Sequence, residues 1–304
     1  VYFGHTQTVI EANDPMGYVY AGQRLAQGHG PTYYDPHNEK AGPYFSLFAF
    51  QIKRGDDPRF YLGFPPGFPL LLALVQRVTN NPGLTLYVPS LMALVSLAAV
   101  YLWGSTLFSE WVGLGAATWL AFTPTFLSFS TAQWAGVPGL AFMLWGILFY
   151  LWATRAHRTG WRIGLGLLSG TLLGYSLFIR YTNVVVIPPL ALYILCSYKQ
   201  RARSIRDPAN LALFSVLGIT GCSLLIFNRW YYGGFLTTSY SPVHGWYPWA
   251  AFSVRYAIGA SPVGGHSFIE GARTLWNNFS AVIPLTLLGL LVMPRRKAGL
   301  IIGI

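Results

Sequence analysis

Charge is what this sequence has least of. Only 10% of the 304 residues are Asp, Glu, Lys or Arg, while 53% are apolar. An average soluble domain carries roughly 25% charged residues, so this chain has too few to cover a soluble surface of its size. Acids are scarcest, nine against 20 Lys and Arg. No long apolar run holds an Asp or Glu near its centre, which argues against a proton-coupled pump or carrier. All six histidines (His5, His29, His37, His157, His244, His266) fall outside the apolar runs, leaving no inward imidazole to ligate a haem or pigment in a bilayer. There is no G-x-x-x-x-G-K-[ST] string and no H-E-x-x-H string, so neither nucleotide hydrolysis nor a zinc protease is indicated. The two cysteines, Cys196 and Cys222, lie in apolar segments, where packing is the ordinary role.

What is present is a series of apolar runs, at 85–108, 111–130, 133–153, 163–179, 183–197, 211–230 and 279–294. A bilayer crossing takes about 20 such residues, with about 17 as a practical minimum. The reading is an all-α polytopic membrane helix bundle with about seven spans. The fifth run is short and contains Pro188-Pro189, which predicts a kink, a tilt or a thinned bilayer. Another apolar stretch, 66–78, opens with prolines and is too short to cross; it predicts a helix lying along the surface. Eleven Trp and 19 Tyr suit a protein with two membrane–water interfaces.

Half of the basic residues form three clusters: Arg155, Arg158 and Arg162; Lys199, Arg201, Arg203 and Arg206; Arg295, Arg296 and Lys297. These follow alternate runs, so they share one side, which the positive-inside rule assigns to the cytoplasm. The positive surplus therefore orients the chain and implies no nucleic-acid partner. Residues 1–84 then lie outside, and six of nine acids (Glu11, Asp14, Asp35, Glu39, Asp56, Asp57) fall in 1–64. The expected plan is one transmembrane domain in the plasma (inner) membrane. It comprises an external loop region with surface helices over 1–84 and a bundle over 85–304 that carries an external loop at 231–278. The chain opens on Val1-Tyr2-Phe3, and 298–304 looks like the start of another apolar helix; the expectation is a piece of a longer protein, incomplete at both ends.

An acidic, aromatic external face over a helical base suits group transfer from a lipid carrier. That chemistry takes a carboxylate as base, cations for phosphate, and aromatic walls for sugar or prenyl chain. On residue types alone, Glu11 and Asp14 read as solvated loop acids and Arg180 as a snorkelling arginine. A resemblance changes the weights. Asn13-Asp14-Pro15-Met16-Gly17-Tyr18-Val19-Tyr20-Ala21-Gly22-Gln23-Arg24-Leu25-Ala26-Gln27-Gly28 resembles the first external loop of the GT-C glycosyltransferases. These are the membrane enzymes that use polyprenyl-phosphate sugars, among them protein O-mannosyltransferases and the lipid A aminoarabinose transferase. Gly63-Phe64-Pro65-Pro66-Gly67-Phe68-Pro69 resembles the entry to that family's surface helix, 87–108 the span that follows, and 228–240 a later element opening an external loop.

The resemblance implies a glycosyltransferase that moves a sugar from a polyprenyl-phosphate carrier to an acceptor at the external face. It implies that Asp14, with Glu11 second, is the catalytic carboxylate, serving as base or positioning the acceptor and a divalent cation if one is used; no other cofactor is implied. Arg180 is the candidate for the lipid phosphate, with Arg24, Arg59 and Tyr240 as weaker substrate-side candidates. The bilayer and the lipid-linked donor are the implied partners, along with other membrane subunits under the alternative reading. The family often carries a second acid in a Ser-Asp-x-Pro-like string; here Trp134-Ala135-Gly136-Val137-Pro138 puts Gly136 in its place. That departure keeps open a catalytically degenerate subunit of a larger membrane complex. A transporter has only the helix count in its favour.

Overall fold

The computed structural model describes residues 2–8, 13–41, 50, 52–53, 57–198 and 207–237. Helix α1 (Asn13–Ala26) leads into strand β1 (Thr32–Tyr33), the single turn α2 (Asn38–Ala41), β2 (Ile52–Lys53) and β3 (Phe60–Tyr61). The strands form a small antiparallel sheet in the order β1-β3-β2, with Tyr33 opposite Phe60 and Ile52 opposite Tyr61. It is the one sheet among the described residues. The all-α reading holds, and this sheet of two-residue strands, too short to show alternation, is its one addition among the described residues. Helix α3 (Gly67–Thr79) ends at Asn80, whose φ of 52° makes the left-handed stop. Then come α4 (Val88–Leu107), α5 (Glu110–Ala121), α6 (Pro124–Thr131), α7 (Gly136–Arg155), α8 (Thr159–Ile179), α9 (Ile187–Tyr198) and α10 (Pro208–Tyr232).

Local chemistry sets these boundaries. The Ser109 hydroxyl accepts from the Val112 N–H to start α5, and the Asp207 carboxylate accepts from the Ala209 N–H, with Pro208 at the first helical position, to start α10. Gly233, at φ 91°, ends α10. Pro124 lacks an N–H and holds Thr123 extended, so the apolar run expected as one span over 111–130 is two helices bent by 66°.

Three helices make the tightest packing. A Cβ placed on Gly166, Gly170 or Gly174 would lie 2.6 Å from the Ala209 carbonyl, 2.8 Å from the Leu213 carbonyl and 2.4 Å from Thr220 Oγ1. The bare backbone of α8 is what lets α10 approach. Both sets of numbers rise together, so α8 and α10 run parallel, and residues 180–207 must return the chain between them. On the other face of α8, Ser169 Oγ donates to the Gly146 carbonyl at 2.7 Å and Leu173 packs over Gly146, which sets α7 antiparallel. The Trp145 indole N–H donates to the Val95 carbonyl at 2.9 Å and fixes α4 beside α7. One end of the bundle therefore gathers the starts of α4 and α7 with the finish of α8; it is the Arg180 end. The starts of α8 and α10 share the opposite, Arg162 end, where Arg162 pairs with Asp207.

Four helices, counting the turn 82–87 with α4, are long and apolar enough to cross a membrane, or five if the bent pair is one span. The expected count of about seven is not reached among the described residues. Pro124 breaks one expected span, and the run at 183–197 divides into a 3-10 turn, Tyr181–Val186, and the 12-residue α9. The run at 279–294, the basic clusters 199–206 and 295–297, residues 298–304 and nearly all of the 231–278 loop lie outside the described residues. Large apolar side chains point outward along the bundle, among them Trp111, Trp119, Leu192, Ile219 and Trp230. That is the surface of a protein whose solvent is lipid. Helix α3, only 13 residues long, stays at the Arg180 end: Phe68 and Leu72 pack with Tyr18, Val88, Ala135 and Ile179. The Tyr175 hydroxyl donates to the Gly67 carbonyl at 2.9 Å.

Candidate functional site

The Arg180 end carries the polar chemistry. Arg180 follows directly on α8, in extended backbone, with an exposed side chain. That side chain lies across the first turn of α7: its Cδ is 3.7 Å from where a Cβ on Gly139 would be, and its Nη1 is 3.2 Å from where a Cβ on Gly136 would be. The Phe129 ring borders the same spot at 3.6 Å, and the Trp134 ring is 5.4 Å from it, centroid to centroid. Asn183 fixes the turn beyond, donating from its N–H to the Arg180 carbonyl at 3.0 Å and from its side-chain amide to the Ser176 carbonyl at 3.1 Å. Among the described residues, no carboxylate pairs with the Arg180 guanidinium. Helix α7 presents its N-terminus here with no side-chain cap, so the helix dipole adds to the positive potential.

Asp14 occupies the first turn of α1, half-buried, and no hydrogen bond to it is made by a described residue. Burial raises its pKa above the ordinary carboxylate value. One helical turn on, Tyr18 packs against Phe64 and Phe68, with ring centroids 4.9 and 5.2 Å away. Tyr18 belongs to an apolar cluster that also contains Val88, Ala135 and Ile179. Ala135 precedes Gly136, Ile179 precedes Arg180 and Tyr18 lies one turn beyond Asp14, so the acid and the cation each adjoin members of one cluster.

The N-terminal region is held over this end by tyrosines from the finish of α10. The Tyr231 hydroxyl donates to the Pro31 carbonyl and accepts from the Leu62 N–H; that of Tyr232 reaches the Leu62 and Phe64 carbonyls at 3.1 and 3.2 Å. Buried Gln133 adds a second clamp, donating to the Gln7 and Leu86 carbonyls at 3.0 and 3.3 Å.

The other sequence candidates are not gathered here. Arg24 sits in the last turn of α1, ten positions from Asp14, or about 15 Å at 1.5 Å per residue. Its Nε is buried without a partner. Arg59 is engaged by Asp57 through two bonds, Nε to Oδ1 at 2.9 Å and Nη2 to Oδ2 at 2.8 Å. Those bonds, with help from the Tyr61 hydroxyl, hold the Asp57 carboxyl well below the usual range. Glu11 and Tyr240 lie outside the described residues. No group of three or more His, Cys, Asp or Glu side chains among the described residues is placed to hold a metal. Phe129, Trp134 and Asn183 were not picked out in the sequence. Phe129 reads there as part of a spanning run, and only the bend at Pro124 turns it toward Arg180.

Two comparisons return nothing: no curated protein and no solved structure matches the chain. A third does match, the family model described as dolichyl-phosphate-mannose-protein mannosyltransferase, over residues 64–227. The match runs from Phe64, before the Pro-Pro-Gly entry of α3, to Phe227 near the end of α10. It takes in Gly136 and Arg180 but not Asp14. Because it covers more than half of the 304 residues, the chain belongs to this GT-C family and is a membrane glycosyltransferase of the kind that uses polyprenyl-phosphate sugars.

Proposed function

We propose that the protein transfers a sugar from a polyprenyl phosphate to an acceptor hydroxyl at the external membrane face, with Asp14 as general base and Arg180 as ligand of the donor phosphate. The observation that carries this reading is that an acid and a cation, neither with a partner among the described residues, are next in sequence to, or one helical turn from, members of the same apolar cluster at one end of the bundle. In the reaction the acceptor oxygen attacks the anomeric carbon while the bond from that carbon to the phosphate oxygen breaks. The bonding pair leaves with the phosphate, and the hydroxyl proton passes to the Asp14 carboxylate. Negative charge grows on the departing phosphate, where a guanidinium stabilises it most. A carboxylate whose pKa is raised by burial is a stronger base than a free one. Phe129 and Trp134 supply aromatic surface beside the phosphate position.

Transfer from a synthetic polyprenyl-phosphate sugar by the purified full-length protein tests the reading. Asp14→Asn keeps shape and removes the base. Undiminished turnover in that variant would remove Asp14 from the mechanism. A wild-type protein inert toward every lipid-linked sugar would favour a non-catalytic subunit, the reading to which the missing acid at Gly136 points. The face is tested separately. With Cys196 and Cys222 replaced by Ser, Lys40→Cys should react with an impermeant thiol reagent added outside intact cells and Gly160→Cys should not. The reverse pattern would invert the topology.

A further inference from the structure

The space over Gly136 has an occupant, and it is Arg180. The arginine stem rests on Gly139 and its head on Gly136, at the 3.7 and 3.2 Å given above. Two glycines three positions apart share a helix face, so the first turn of α7 offers a bare floor on which the side chain lies. Some arginines of the described residues end on oxygen, Arg59 and Arg162 on carboxylates and Arg77 on the Ala26 carbonyl, while the Nε of Arg24 has no partner among them. Among the described residues Arg180 ends on no acceptor, although a side chain at position 136 would stand within reach of its Nη1.

We propose that Gly136 sets the specificity of this end for an anionic substrate group, because the absence of a side chain there leaves the Arg180 guanidinium free for a phosphate. The inference rests on the reading of Arg180 as the phosphate ligand, and it adds position 136 as the control on it. A methyl group at 136 shifts the flexible guanidinium by a few tenths of an ångström. A carboxylate at 136 pairs with it and competes directly with substrate phosphate; an amide of the same shape does not.

The experiment is binding of a polyprenyl monophosphate to the full-length protein in phosphatidylcholine nanodiscs. Gly136→Asp should weaken binding about tenfold or more, the scale of one lost charge-assisted hydrogen bond. Gly136→Asn should stay within about threefold of wild type. Arg180→Gln should lose as much as Gly136→Asp, and the double variant should lose no more than either, since both remove the same interaction. In the transfer assay the Gly136→Asp effect should fall on the donor KM more than on kcat. Wild-type affinity in Gly136→Asp overturns the inference, and so does a loss in Gly136→Asn as large as in Gly136→Asp. If Gly136→Asp does not fold, Arg180→Gln decides, because an unchanged affinity there overturns the inference alone. A wild-type protein that binds no polyprenyl phosphate overturns instead the function on which the inference rests.

Discussion

The two ends of the bundle differ in how one acid and one arginine at each are partnered among the described residues. At the Arg162 end they close on one another. Asp207 takes Arg162 on one carboxylate oxygen and the Ala209 N–H on the other, and the buried Tyr150 hydroxyl donates to the Asn210 side chain at 2.7 Å. At the Arg180 end a half-buried carboxylate and an arginine have no described partner across an apolar cluster of Tyr18, Phe68, Ala135 and Ile179. A paired end holds helices together. An unpaired end costs stability, and in the proposed reaction the missing partners arrive with the substrate.

The largest expected effect breaks that comparison at Asp14. Asp14→Asn should lower turnover by about 10²–10⁴-fold, the usual share of a general base, and should not lower thermal stability. The sign follows from burial. The folded-state pKa is raised, so the native protein holds this proton more tightly than the unfolded chain does. Stability from this group therefore falls as pH rises from the unfolded pKa, about 3.9, through the folded one, and stays lower above it. Wherever the carboxyl is ionised, the amide removes a charge that the fold disfavours. Wild-type turnover should in turn show an acidic limb displaced above the ordinary carboxylate value. A thermal shift downward in Asp14→Asn would show the carboxylate to be structural, as at the other end.

Next in size is Asp207→Asn. The amide can still cap α10, so the loss isolates the ion pair with Arg162, whose partners are about one-fifth exposed. Stability should fall by about 1.5–3 kcal/mol, the range for a hydrogen bond to a charged group, with turnover per folded molecule unchanged. Chemical unfolding in detergent alongside the transfer assay separates the two quantities. A turnover loss larger than the loss of folded protein would mean that the ends are coupled.

How much of this was legible depends on the range of the interaction. The long apolar runs that became α4, α7, α8 and α10 were plain, because composition over some 20 residues needs no tertiary information. Helix α3 was legible as a short helix, too short to cross, from its length and its prolines. The break at Pro124 was written in Thr123-Pro124 but was absorbed into a run whose composition stayed apolar throughout. The run at 183–197 was read as a short span that Pro188-Pro189 kinks or tilts, and its division into a 3-10 turn and the 12-residue α9 was not legible. Arg180 was visible as a lone charge at the end of a span. Its place over Gly136 was not, because that contact needs the end of α8, the start of α7 and the turned-in Phe129 of α6 to meet. Gly136 read as a lost acid, and only the fold supplies what fills the room that acid would take. Arg59 and Asp57, two positions apart, could have been paired on sight.

Arg59 supplies the smallest effect and the sharpest control. It and Arg180 are both exposed arginines on the same side of the molecule, and both were candidates for substrate phosphate. What separates them is that Arg59 has spent its planar fork on Asp57, in an exposed two-bond pair. Such pairs contribute about 1 kcal/mol or less, and Asp57 would keep the Tyr61 hydroxyl at 2.7 Å without it. Arg59→Gln should therefore change stability by about 1 kcal/mol at most and polyprenyl phosphate affinity by less than about twofold, where Arg180→Gln loses about tenfold. A phosphate could recruit Arg59 only by displacing a carboxylate that already matches its geometry, so the guanidinium gains little from the exchange. Equal losses of affinity in the two variants would mean that pairing in the resting protein does not decide which arginine serves the substrate, and the contrast between paired and unpaired ends would then carry no functional meaning.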